Sequence, residues 1–84
     1  MNCQETVVQQ GLQEIAKVFY NERKARALLA KAQMPIAQVP RFDGTPIEFW
    51  ESVCEEIEHG LVGGGPERLL SSAADIYPYN SVFG

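Results

Sequence analysis

Cys54, Glu55 and His59 are the residues of this chain whose types and spacing invite chemistry. A thiol within reach of an imidazole makes a nucleophile–base pair. Five residues along one helix is a rotation of about 500°, which aims the two side chains about 140° apart. Cys54 also falls on an apolar stripe, so it reads as a small core residue and not as half of a dyad. Glu55 and His59 share a face at i, i+4, where a surface metal can just bridge them. Two ligands with no third and no outer support make a weak site, and a solvated face is the simpler expectation. His59 precedes Gly60 in a last helical turn, where a cation interacts favourably with the helix dipole. Gly63-Gly64-Gly65-Pro66 opens a helix but lacks the GK[ST] ending of a phosphate loop, and no strand precedes it. It reads as an interhelix loop. Trp50 is expected inside the core, with Phe49 near the edge of the same stripe. No catalytic, cofactor-binding or metal-ligating residue is assigned, and no cofactor is expected.

Composition points the same way. Eighty-four residues make one domain, and 45% apolar against 21% charged residues is a globular balance. A single histidine and a small core leave little room for an enzyme pocket. Seven basic against eleven acidic residues give a net charge of −4, which argues against nucleic-acid binding. No apolar run approaches the roughly 18 residues that span a membrane, and the N-terminus does not open a signal peptide. Cys3 and Cys54 are too few for a disulfide-stapled secreted scaffold. A reduced, cytoplasmic domain is the expectation.

The elements that must position these residues are helical. Val8, Leu12, Ile15 and Phe19 form one stripe of a helix over about 5–19, with Gly11 inside it as a cost of about 1 kcal/mol that favours fraying. Asn21 is a good N-cap for a second helix over about 22–33, whose apolar face is Ala25, Leu28, Leu29 and Ala32. Pro35 stops it, and residues 36–39 suffice for one helical turn before Pro40. Thr45-Pro46-Ile47-Glu48 is a capping box with proline at the first helical position. It opens a third helix over about 46–59 with Trp50, Val53, Cys54 and Ile57 buried, and Gly60 serves as a left-handed cap. Residues 61–65 are a flexible linker. Pro66 starts a fourth helix, with Leu69, Leu70, Ala73 and Tyr77 inward, ending before Pro78. The expected fold is all-α: a compact antiparallel bundle of four main helices plus one short helical turn. Trp50, Leu28, Leu29, Val53, Ile57, Leu69 and Leu70 are expected to share one core. Tyr77, Val82 and Phe83 are expected to fold back onto the bundle.

The charges are segregated by element. Residues 17–41 carry six bases against Glu22, net +5, and residues 43–75 carry eight acids against Arg68, net −7. Arg23, Lys24, Arg26 and Lys31 form a basic face on the second helix. Glu51, Glu55 and Glu58 recur at i, i+4 and i+7 as an acidic ridge on the third. Opposite patches on one small domain suit head-to-tail association with a like domain.

Three stretches resemble the type 1 effector-associated domains of bacterial conflict systems. They are Glu22-Arg23-Lys24-Ala25-Arg26-Ala27-Leu28-Leu29 with the Met34-Pro35 break, Gly44-Thr45-Pro46-Ile47-Glu48-Phe49-Trp50, and Leu69-Leu70 through Ala73-Ala74 to Ile76-Tyr77-Pro78-Tyr79-Asn80-Ser81-Val82-Phe83. The resemblance covers about residues 12–83 of a single adaptor domain, 1–84. It implies a death-like helical fold and a non-enzymatic signalling adaptor of bacterial immunity, which recruits an attached effector by homotypic pairing. The partner implied is another copy of this domain type, on itself or on a signalling protein, and neither nucleic acid nor a membrane. It brings no catalytic residues and no binding motif. Residues 79–84 then form a tail leading to an effector beyond Gly84. Where the family pattern leads one to expect a glycine after Ala32 the chain has Gln33, which argues against the usual left-handed cap there. The alternative from another class is a stand-alone regulatory or inhibitory subunit that binds an unrelated protein.

Overall fold

The computed structural model describes residues 3–60 and 63–83. Four α-helices follow in order: α1 (Thr6–Val18), α2 (Glu22–Lys31), α3 (Pro46–Glu58) and α4 (Pro66–Ile76), with a single 3₁₀ turn (Ile36–Gln38) between α2 and α3. No strand occurs among the described residues, and none of the helices there is long and apolar enough to cross a membrane. The predicted bounds hold to within one or two residues. The linker predicted over 61–65 falls partly on 61 and 62, outside the described residues.

Local signals act as their chemistry requires. The Asn21 side chain accepts the Lys24 N–H at 2.9 Å and opens α2. Thr45 caps α3 by accepting the Glu48 N–H at 3.3 Å. The return half of the capping box differs from expectation, because the Thr45 hydroxyl donates to Glu48 Oε1 at 3.1 Å and so holds the carboxylate near the helix N-terminus. Gly60 takes φ +96° just past the end of α3, as a left-handed cap does.

The end of α2 corrects the expectation from Gln33. Gln33 itself adopts φ +64°. Its N–H donates to the Ala30 carbonyl at 3.1 Å, and the Met34 N–H donates to the Leu29 carbonyl at 3.0 Å. These two bonds make a complete Schellman motif, with Met34 and Leu29 both buried as its apolar contact. The motif forms without glycine because the buried Met34 and the following Pro35 hold the chain in this turn.

α1 packs against α3 and α4, while α2 reaches the bundle chiefly through α4. The core gathers Val8, Leu12, Ile15, Phe19, Leu28, Leu29, Val53, Ile57 and Leu69 around a fully buried Trp50. The Trp50 indole N–H donates to the Phe19 carbonyl at 3.2 Å, satisfying an acceptor left over at the end of α1. Two packing expectations are corrected. Phe49 lies inside, 3% exposed, because Phe42 from the preceding loop covers it at 4.7 Å between ring centroids. Leu70 is only partly buried and leans on Gly11 of α1.

The cysteines give the largest correction. Cys3 and Cys54 are joined in a disulfide, with their Cα atoms 6.0 Å apart. Cys54 is therefore a buried cross-link between the N-terminal residues and α3. Neither the free core thiol nor the reduced domain expected from two cysteines is found, because the fold brings the two thiols together. The N-terminal turn is further tied down by the Gln9 side-chain amide, which donates to the Cys3 carbonyl.

Candidate interaction surface

Helix chemistry places the charged residues outward once the apolar stripes turn inward. Arg23, Arg26 and Lys31 of α2 are exposed, and Lys24 is half-buried. The four bases do not act alike. Arg26 pairs with Glu22 one turn earlier at 3.0 Å. The Lys24 ammonium stands over the Tyr20 ring, 4.9 Å from its centroid. Lys31 lines a separate shallow cleft with Arg68, Ser71, Ser72 and Asp75. Among the described residues Arg23 and Lys31 have no ion-pair partner.

Glu51, Glu55 and Glu58 are all exposed along α3. None of them pairs with a base among the described residues, where the only ion pairs are Lys17–Glu14 and Arg26–Glu22, each within one helix. The last turn of α3 contains no lysine or arginine. Carboxylates there face the negative end of the helix dipole, a cost of about 0.3–1 kcal/mol each when no cation is near. The basic helix and the acidic ridge are thus not neutralised against each other within the domain.

Between α2 and the segment that follows it runs an apolar groove of about 340 Å³, lined by Ala27, Leu29, Ala30, Met34 and Val39 with Arg23 and Arg26. Sequence reasoning missed this groove. Its signal was the pair Ala27 and Ala30, small apolar residues left on the exposed side of α2 while Leu29 and Met34 turn into the core. Nearby, a cleft of about 440 Å³ holds Arg26 and Arg41 together with Glu22 and Asp43, so its charges are mixed.

The residues singled out for catalysis or metal binding do not assemble. Cys54 is committed to its disulfide, and His59 and Glu55 are exposed at the end of α3. Among the described residues no three His, Cys, Asp or Glu side chains gather around a common point.

The tail is held to the bundle. Asn80 donates through Nδ2 to Glu14 Oε2 at 2.9 Å, and its Oδ1 accepts the Val82 N–H at 2.9 Å. The rings of Tyr77 and Phe83 both pack on Phe19, at 5.6 and 6.5 Å. The expected fold-back therefore holds for Phe83 and for one side of Tyr77. Val82 instead points outward, because the Asn80 bond turns the chain before it.

No curated protein and no solved structure is significantly similar to the chain. The family model of effector-associated domain 1 matches residues 1–84, the full length. A four-helix domain with the Thr-Pro-x-Glu-Phe-Trp helix start and the anchored Tyr-Pro-Tyr-Asn tail thus belongs to the effector-associated domain 1 family.

Proposed function

We propose that the domain is a non-enzymatic adaptor of a bacterial defence system, recruiting an attached effector in the cytoplasm by pairing with another copy of its own domain type. The observation that carries this reading is the uncompensated charge. Free cations on α2 and a free acidic ridge on α3 belong to one molecule yet make no ion pair with each other among the described residues. When the α2 face of one copy meets the ridge of the next, both are neutralised, and the contact is heterologous and can propagate. Exposed pairs of this kind contribute about 0.2–1 kcal/mol each, so one domain pair binds weakly and clustering supplies avidity.

The test is a charge swap at the residues without internal partners. Arg23→Glu with Lys31→Glu spares the Arg26–Glu22 pair and the Lys24–Tyr20 contact, and the carboxylate it places in the last turn of α2 costs only about 0.3–1 kcal/mol. Self-association measured by sedimentation is expected to vanish in this variant and to fall with salt in the wild type. Mixing it with Glu51→Lys/Glu55→Lys is expected to restore a heterodimer in part. Association that survives both reversals and high salt overturns the charge mechanism, and a wild type that binds only an unrelated protein supports the regulatory-subunit reading instead.

A further inference from the structure

We infer that Tyr79 of one copy inserts into the apolar groove beside Arg23 and Arg26 of a second copy, giving the homotypic contact an apolar anchor. The inference rests on the homotypic reading above and names a residue pair for it. Tyr79 is 99% exposed, the most exposed of the large apolar side chains among the described residues. It is nevertheless not on a loose end. Tyr77, Pro78, Tyr79 and Asn80 form a turn closed by the Asn80 N–H donating to the Tyr77 carbonyl at 3.1 Å. That turn is clamped on one side by Tyr77 against Phe19 and on the other by Asn80 against Glu14. The ring is presented to solvent on an ordered backbone, so burying it against a partner costs the rotamer freedom of one side chain and little backbone ordering.

The groove matches that ring in shape and charge. Ala27 and Ala30, both exposed, and the half-buried Val39 leave the space and supply its accessible apolar surface, with Leu29 and Met34 already buried in the core. Among the described residues Arg23 and Arg26 line it and no carboxylate does. A guanidinium favours the face of an aromatic ring, and the tyrosine hydroxyl can stay at the wet edge. From Leu69 onward the chain carries Asp75 and no lysine or arginine, so no cation on the tail opposes Arg23. The other exposed apolar groups fit less well. Val7, Ile76 and Val82 offer no ring, Tyr20 already lies under the Lys24 ammonium, and the Tyr77 ring packs on Phe19. Groove and knob are different patches of one domain, so the contact runs head to tail.

The experiment is complementation between two interface-dead variants of the whole chain, followed by sedimentation. Tyr79→Ala removes the knob and Ala30→Trp fills the groove. Both positions are exposed, so melting curves like the wild type's are expected, with Ala27→Trp as a second groove variant. Each variant alone is expected to weaken self-association at least tenfold, as loss of a buried aromatic anchor does. A one-to-one mixture is expected to form a heterodimer that does not grow further, because only one knob and one groove remain intact. A wild type that stays monomeric up to about 1 mM, beyond the weakest useful pairing, overturns the homotypic reading and this inference with it. A wild type that associates while Tyr79→Ala associates equally well overturns this inference alone. So does a mixture of the two variants that fails to pair.

Discussion

Gln33 holds a backbone conformation that L-residues adopt at a cost of roughly 1–2 kcal/mol. The backbone gains the two Schellman bonds, which a glycine would make equally well, and the Gln33 side chain adds an exposed hydrogen bond accepted from the Arg68 guanidinium at 3.2 Å. Gln33→Gly removes the strain but adds chain entropy to the unfolded state, leaving a net gain of about 0.5 kcal/mol. The expected rise in melting temperature is about 2–4 °C, and calorimetry reads it directly. At the other extreme, Trp50 fills the centre of the core and also satisfies the Phe19 carbonyl. Trp50→Ala should cost about 3–5 kcal/mol, a large share of the total stability of a domain this size. Urea denaturation provides the check.

At the scale of elements, Gly11 shows how a helix residue serves its neighbour. A methyl group there would overlap the Cδ2 end of the Leu70 side chain on α4, which would have to shift to make room. The glycine therefore sets how closely α1 and α4 approach. Helix propensity alone predicts that Gly11→Ala stabilises by about 1 kcal/mol. The packing predicts no such gain in the wild type and its recovery in a Leu70→Ala background, which a double-mutant cycle by thermal melting would reveal. The tail is the other element whose role is structural. Deleting residues 79–84 removes the Asn80–Glu14 bond and the Phe83 packing on Phe19. A loss of roughly 1–2 kcal/mol is expected, with a melting temperature lower by several degrees.

For the whole molecule, the Cys3–Cys54 cross-link spans 51 residues, well over half of the chain. Closing a loop of that length restricts the unfolded ensemble by about 4 kcal/mol in the chain-entropy treatment. Reduction with a thiol reagent is expected to lower the melting temperature by more than about 10 °C. Both sulfurs lie in the core, so the reduced form keeps its packing and the helical circular dichroism at room temperature should persist. Segregated charge acts at the same scale. The domain keeps its cations and its acidic ridge on separate helices, and assembly is where they meet in the reading proposed above.

How much of this was legible in the sequence follows from the range of the forces involved. Helix bounds, the Asn21 and Thr45 caps, the buried stripe through Trp50 and the acidic ridge are set by residues within one or two turns of each other, so spacing alone determined them. The family motifs, contiguous in the chain, were readable for the same reason. What the tertiary structure decided lies between residues far apart in the chain. Cys3 and Cys54 meet only because α1 packs on α3. Phe49 is buried because Phe42 folds over it. Gln33 turns left-handed because Met34 must reach the core. The groove beside Arg23 and the outward Tyr79 arise the same way, from where the segments after α2 and α4 come to rest. A helical period records which face of an element is apolar, and only packing records which part of that face is left uncovered.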